Sequence, residues 1–116
     1  MEVKSEELKE GVLLVKIGGY VDGSNSLELG EELSKLVDNF GENTPKIIVD
    51  LESLPRMDAA GLGVLVSLQN SVSKKKGRLV LLKPNKWIKN LLAITQAESL
   101  MNIYESLEVA QSSFES

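Results

Sequence analysis

No cysteine and no histidine occur in the 116 residues of this chain. That excludes disulfide scaffolding, thiol nucleophiles, zinc fingers and imidazole acid–base chemistry together. Carboxylates alone remain for a hard cation, and neither a metal site nor a cofactor is expected. Aromatic residues make up only 4% of the chain, too few to supply much base stacking. Positive charge is also scarce, with 13 Lys+Arg against 17 Asp+Glu and a net charge of −4. A nucleic-acid binder presents a basic face. The single basic run, Lys74-Lys75-Lys76 with Arg78 close by, falls where a helix is expected to end and complements its dipole there. No direct nucleic-acid partner is expected. No apolar run approaches the roughly 20 residues of a membrane span, and the stretch Met1 to Glu7 is too polar for a signal-peptide core. A cytoplasmic protein without a membrane partner is the expectation, and the length fits one domain over residues 1–116.

What is present is an alternation of strand and helix patterns. Glu2 to Glu7 reads as an edge strand, Glu10-Gly11 as a turn, and Val12 to Ile17 as its hairpin partner, with Leu13, Val15 and Ile17 on one face. Ser24 or Asn25 is placed to cap a helix running to about Asn39. Leu29, Leu33, Leu36, Val37 and Phe40 form its apolar stripe at i, i+4, i+7, i+8 and i+11. Ile47-Ile48-Val49 is an unbroken β-branched run, as in a central strand covered on both faces. A loop from Leu51 to Met57 follows, and Asp58 is a good N-cap for a second helix from Ala59 to about Lys75, with Gly77 as its C-cap. Leu79 to Leu82 is another buried strand. Asn85 caps a short helix whose apolar side is Trp87, Ile88, Leu91 and Leu92. Asn102 to Tyr104 is a last strand, and Ser106 caps a final helix with Leu107, Ala110 and Phe114. Strands alternating with helices imply parallel pairing through right-handed crossovers, hence an α/β fold.

The segment from Asp50 to Val66 carries the functional signal. Ala59 to Val66 contains no polar side chain, whereas a surface helix shows a polar face within two turns. Composition favours cover on all sides; the alternative is an exposed part that awaits a partner. Gly61 and Gly63 each cost about 1 kcal/mol relative to Ala inside a helix. Close packing on the sheet is one reason for them, backbone access for an anion the other. No Lys-Ser/Thr pair follows them, so they form no P-loop, and Gly61-Leu62-Gly63-Val64-Leu65-Val66 lacks the third glycine of a dinucleotide fingerprint. Asp58 at the cap would repel a phosphate. Asp22, Asp50 and Asp58 lie near element ends, and parallel pairing would bring Asp22 and Asp58 together at one edge. With no pocket legible around them, capping and turn chemistry is the expectation rather than acid–base catalysis.

The same segment resembles the STAS domain of anti-sigma factor antagonists. In that family an apolar strand ends in Asp-Leu, and after a short loop comes Asp-Ser-Ser/Thr-Gly-Leu-Gly-Val-Leu. Here Ile47-Ile48-Val49-Asp50-Leu51 is followed by Asp58-Ala59-Ala60-Gly61-Leu62-Gly63-Val64-Leu65. Gly19-Tyr20-Val21-Asp22 looks like the family's Gly-x-Leu/Val-Asp turn, and the segments at Leu79 to Leu82, Trp87 to Leu92 and Ile103 to Ala110 follow the family order. The resemblance implies a mixed, mostly parallel sheet of about five strands with about four helices. It implies no enzymatic activity, and a function by binding: the domain holds an anti-sigma factor that is also a serine kinase, and so releases a sigma factor. The kinase ends the binding by phosphorylating the first Ser after the Asp. That position is Ala59 here, and a methyl group cannot accept phosphate. The expected contact residues are Asp22, Ser53, Met57, Asp58, Ala59, Ala60 and Gly61. Three readings follow: an antagonist that is permanently active, one switched at another serine such as Ser53 or Ser67, or a STAS module of another assembly such as a stress-signalling scaffold. A carrier of a small ligand, nucleotide or lipid, held between helices is the rival from a different class.

Overall fold

The computed structural model describes residues 1–115. The expected hairpin is β1 (Glu2–Glu7) against β2 (Leu13–Gly18), antiparallel from Glu2↔Gly18 to Glu7↔Leu13. After it come β3 (Tyr20–Val21), α1 (Ser26–Asp38), β4 (Lys46–Asp50), β5 (Arg56–Met57), α2 (Ala59–Lys74), β6 (Arg78–Leu82), α3 (Lys86–Ile94), β7 (Asn102–Tyr104) and α4 (Leu107–Ser112). The main sheet has five strands in the order β1-β2-β4-β6-β7, and every pairing after the hairpin is parallel. This is the α/β architecture that the alternating pattern predicts.

The central position of β4 explains its unbroken apolar run. Ile47 and Val49 face the larger core, built with Leu29, Leu33 and Val37 of α1, Leu62, Leu65, Leu68 and Val72 of α2, and Ile88 and Leu92 of α3. Ile48 faces the opposite side, with Val12, Leu14, Val80, Leu82 and Ala110 of α4. Three helices thus cover one face and one short helix the other. Each such aliphatic side chain contributes about 1.5–3 kcal/mol on full burial.

Two local readings need correction. Asn25 occupies the N-cap position of α1 but makes no bond to the helix amides. Its Oδ1 accepts from the Asp22 amide at 3.0 Å and its Nδ2 donates to the Tyr20 carbonyl at 3.0 Å, which ties the helix start to β3 instead. At the end of α2 the left-handed residue is Lys76, with φ of +61°, not Gly77. The Lys76 amide donates to the Ser73 carbonyl and the Gly77 amide to the Val72 carbonyl, both at 2.9 Å. This is a Schellman closure with glycine one place later than its usual position. Gly77 answers to packing: a Cβ there would press on the Pro45 carbonyl oxygen and stand 2.9 Å from Pro45 Cδ.

Candidate functional site

The loop expected between Leu51 and Met57 contains a strand. Arg56–Met57 pairs in parallel with Tyr20–Val21, making a second, two-stranded sheet with Tyr20 opposite Arg56 and Val21 opposite Met57. Alternation along the strands then sorts the side chains. Val21 and Met57 point inward and are 2% and 3% exposed, while Tyr20 and Arg56 are exposed. The next residue on each strand is Asp22 and Asp58, so the outer face of the ribbon carries an aromatic and a cation, then two carboxylates. The Asp58 amide donates to the Val21 carbonyl at 3.2 Å, extending the pairing by one step.

Asp58 caps α2 as predicted. Its Oδ1 accepts from the amides of Ala60 at 3.0 Å and Gly61 at 3.2 Å. These amides are therefore engaged, which removes the donors an anion would use at this helix start. Asp22 works in the turn ahead of α1, where its Oδ1 accepts from both the amide (2.8 Å) and the hydroxyl (2.5 Å) of Ser24. Asp50 makes a turn of its own, accepting from the Glu52 amide at 2.9 Å. No group of three or more His, Cys, Asp or Glu suited to a metal ion occurs among the described residues. No helix among them is long and apolar enough to cross a membrane.

The hydrogen bonds from the Ser24 hydroxyl and amide hold the Asp22 carboxyl below the ordinary aspartate range. A lowered folded pKa means that the ionised form is favoured by folding. That contribution is complete above the ordinary aspartate pKa and disappears as pH falls through the lowered one. In a carbon-detected NMR titration, Asp22 should titrate below the ordinary aspartate value. Ser24→Ala should move it part of the way back; an unmoved midpoint would mean that the Ser24 hydroxyl is not the cause.

The half-helix without polar side chains is not covered on all sides. Gly61, Leu62 and Leu65 are buried, but Ala59, Ala60 and Gly63 are exposed and Val64 and Val66 half-buried. The two glycines also differ. A Cβ on Gly61 would stand 2.6 Å from Met57 Cγ and 2.8 Å from Val21 Cγ1, so this glycine lets α2 sit on the ribbon, whereas a Cβ on Gly63 meets nothing within 4 Å. Of the expected contact residues, Gly61 and Met57 thus belong mainly to the packing beneath the surface. Asp58, Ala59 and Ala60 are open. Ser53 is exposed but lies against Gly18 at the end of β2.

Asp22, Met57, Asp58 and Ala59 line one groove, of about 710 Å³, together with Tyr20, Arg56, Trp87, Leu91 and Ile94. Its far wall is α3, and here the sequence reading missed a surface. Ile88 and Leu92 enter the core, fully buried. Trp87 is instead 56% exposed and Ile94 81% exposed. The spacing of Trp87, Leu91 and Ile94, i, i+4 and i+7, is a second stripe beside the Ile88/Leu92 one. An apolar arc of that width exceeds what a single packing contact covers, and this was the available signal.

An α/β domain with an open apolar groove beside a capped helix start, and with Asp22, Asp50 and Asp58 engaged in capping and turns, defines a binding module. Residues 5–110 match the family model of the STAS domain, and the chain belongs to that family, within its anti-sigma factor antagonists. The anti-sigma-B factor antagonist of Staphylococcus aureus (strain NCTC 8325 / PS 47) is 33% identical over 95 residues, covering 82% of this chain and 85% of that protein. Among solved structures, an anti-sigma factor antagonist from Mycobacterium paratuberculosis superposes with a TM-score of 0.85 at 16% identity, over 99% of this chain and 94% of that one. The Bacillus cell fate determinant SpoIIAA in its phosphorylated form superposes with a TM-score of 0.72 at 19% identity, over 96% and 98%. These structures share the fold. Anti-sigma factor antagonists are regulators without enzymatic activity.

Proposed function

We propose that this chain acts in the cytoplasm by binding an anti-sigma factor of the serine-kinase type, thereby releasing a sigma factor, and that phosphorylation at the start of α2 does not end the binding. The observation that carries the reading is the exposed first turn of α2. Asp58 caps it, Ala59 and Ala60 present methyl groups to solvent, and Ala59 opens onto the groove. In the family a phosphoryl group on the residue after this Asp would add roughly −1.5 to −2 charges inside the interface. With Ala at position 59 that switch is missing, and the bound state persists until another signal intervenes.

The test is a titration of the purified anti-sigma factor into this chain, followed by incubation with labelled ATP and mapping of the product. Binding is expected, without label between Asp58 and Gly63. Stoichiometric label in that stretch would show that the equivalence of Ala59 with the acceptor is wrong. Label at Ser53 or Ser67 would show a displaced switch.

A further inference from the structure

The groove has a second half that the start of α2 does not explain. Arg56 lies with its guanidinium carbon 5.1 Å from the Trp87 ring centroid. The ion pairs among the described residues are Lys75–Asp38, Lys83–Glu52 and Lys89–Glu105, so Arg56 has no carboxylate partner there. Beside it, Tyr20, Trp87 and Ile94 are 56%, 56% and 81% exposed. An apolar wall of this kind, with a stacked cation that makes no ion pair although Asp22 and Asp58 line the same groove, offers a contact to a group that combines apolar surface with a single negative charge placed at Arg56.

The wall is also held in place. Asn85 Oδ1 accepts from the Ile88 amide at 2.9 Å, capping α3. The same side chain donates through Nδ2 to the Pro55 carbonyl at 2.9 Å. The start of α3 is thereby tied to the residue before Arg56, so the cation and the indole are presented from a fixed frame. A preformed surface loses less ordering entropy on binding than a mobile one.

We propose that this half of the groove takes an acidic–apolar segment of the partner protein, with an apolar side chain seated between Trp87 and Ile94 and a neighbouring carboxylate against Arg56. The proposal rests on the reading of the chain as a protein-binding antagonist and names the part of the partner that this second half receives. A protein segment is favoured over a small ligand by the lining. The polar residues of the lining, Tyr20, Asp22, Arg56, Asp58 and Asn90, are exposed or half-buried, so no buried polar side chain is there to orient a small molecule. The groove also runs on without interruption to Ala59, so a segment that reaches the start of α2 passes over it.

Trp87 is the single tryptophan, so 5-fluorotryptophan labelling gives one fluorine resonance that reports on the groove. Adding the purified anti-sigma factor should shift that resonance. In calorimetric titration Trp87→Ala should weaken binding by about thirtyfold, as for a central aromatic anchor. Arg56→Glu should weaken it by at least about tenfold, with the loss shrinking as salt is raised. Both residues are exposed, so the melting curves should stay close to that of the parent; Ile94→Ser, at a position more exposed still, gives a second readout of the same wall. If the groove variants bind like the parent while Ala59→Glu does not, the acidic–apolar contact is wrong and the antagonist reading stands. If the parent chain itself does not bind the anti-sigma factor, both fall. If the fluorine signal ignores the anti-sigma factor but shifts with micromolar fatty acid or nucleotide, the groove is a small-ligand site and the proposal is overturned.

Discussion

Glutamate in place of Ala59 is expected to abolish partner binding while the fold stands. Position 59 is the first residue of α2, and it is exposed. A carboxylate there meets the positive end of the helix dipole, so the folded state should change by no more than about 1 kcal/mol. In the complex the same charge would be stripped of water next to Asp58, and Asp22, just past the end of β3, lines the same groove. Desolvation and like-charge repulsion together should remove roughly 2–5 kcal/mol of affinity. Ala59→Ser, in contrast, should bind almost as the parent does and restore a hydroxyl that a kinase can use. Circular dichroism melts and calorimetric titration against the anti-sigma factor separate the two effects. If Ala59→Glu binds as tightly as the parent, the start of α2 is not the interface.

The largest loss of stability is expected from a methyl group added far from the site, at Gly77. The Cβ of Gly77→Ala would press on the Pro45 carbonyl oxygen, with Pro45 Cδ at 2.9 Å and Val72 Cγ1 at 3.0 Å. Neither a carbonyl oxygen nor a proline ring can swing aside. Pro45 O also accepts from the Arg78 amide at 2.9 Å, the bond that opens the β4/β6 ladder. Relief of the clash therefore disturbs the central pairing, and the cost should be about 3 kcal/mol or more. Gly63→Ala makes the contrasting control. Its Cβ enters open space, and the gain in helix propensity should stabilise by up to about 1 kcal/mol. Urea unfolding of the two variants measures both. Equal midpoints would mean that the approach of residue 77 to Pro45 is not what this glycine provides.

Features set by residues close together in the chain are legible without the fold. The β-branched run at Ile47 to Val49 announces a strand covered on both faces, and the sheet places it centrally. Asp58 is legible as a cap because the apolar stretch behind it needs its first amides satisfied, and it satisfies two. The stripe of α1 is equally plain, with Leu29, Leu33 and Val37 in the core. These features are local: periodicity and capping depend on residues within a few positions of each other, and the chain displays them directly. The spacing of Asp58, Gly61, Leu62 and Gly63 after an apolar strand also carries the family resemblance.

The groove is another matter. Its floor is a ribbon of two residues on each strand, Tyr20–Val21 and Arg56–Met57, too short to announce themselves and formed only because the main sheet brings them side by side. Trp87 reads as core on a helical pattern and is half open in the fold. Apolar periodicity tells which residues share a side of α3, while the width of the neighbouring surface decides how many of them it covers. Likewise Gly61 and Gly63 are equivalent in composition, and only the position of Met57 and Val21 beneath one of them separates packing from exposure. Local pattern in the chain is enough for the strands of the main sheet, the four helices and their order. Tertiary structure decided the surface that a partner meets, because that surface is made by segments distant in the chain whose contact no local pattern records.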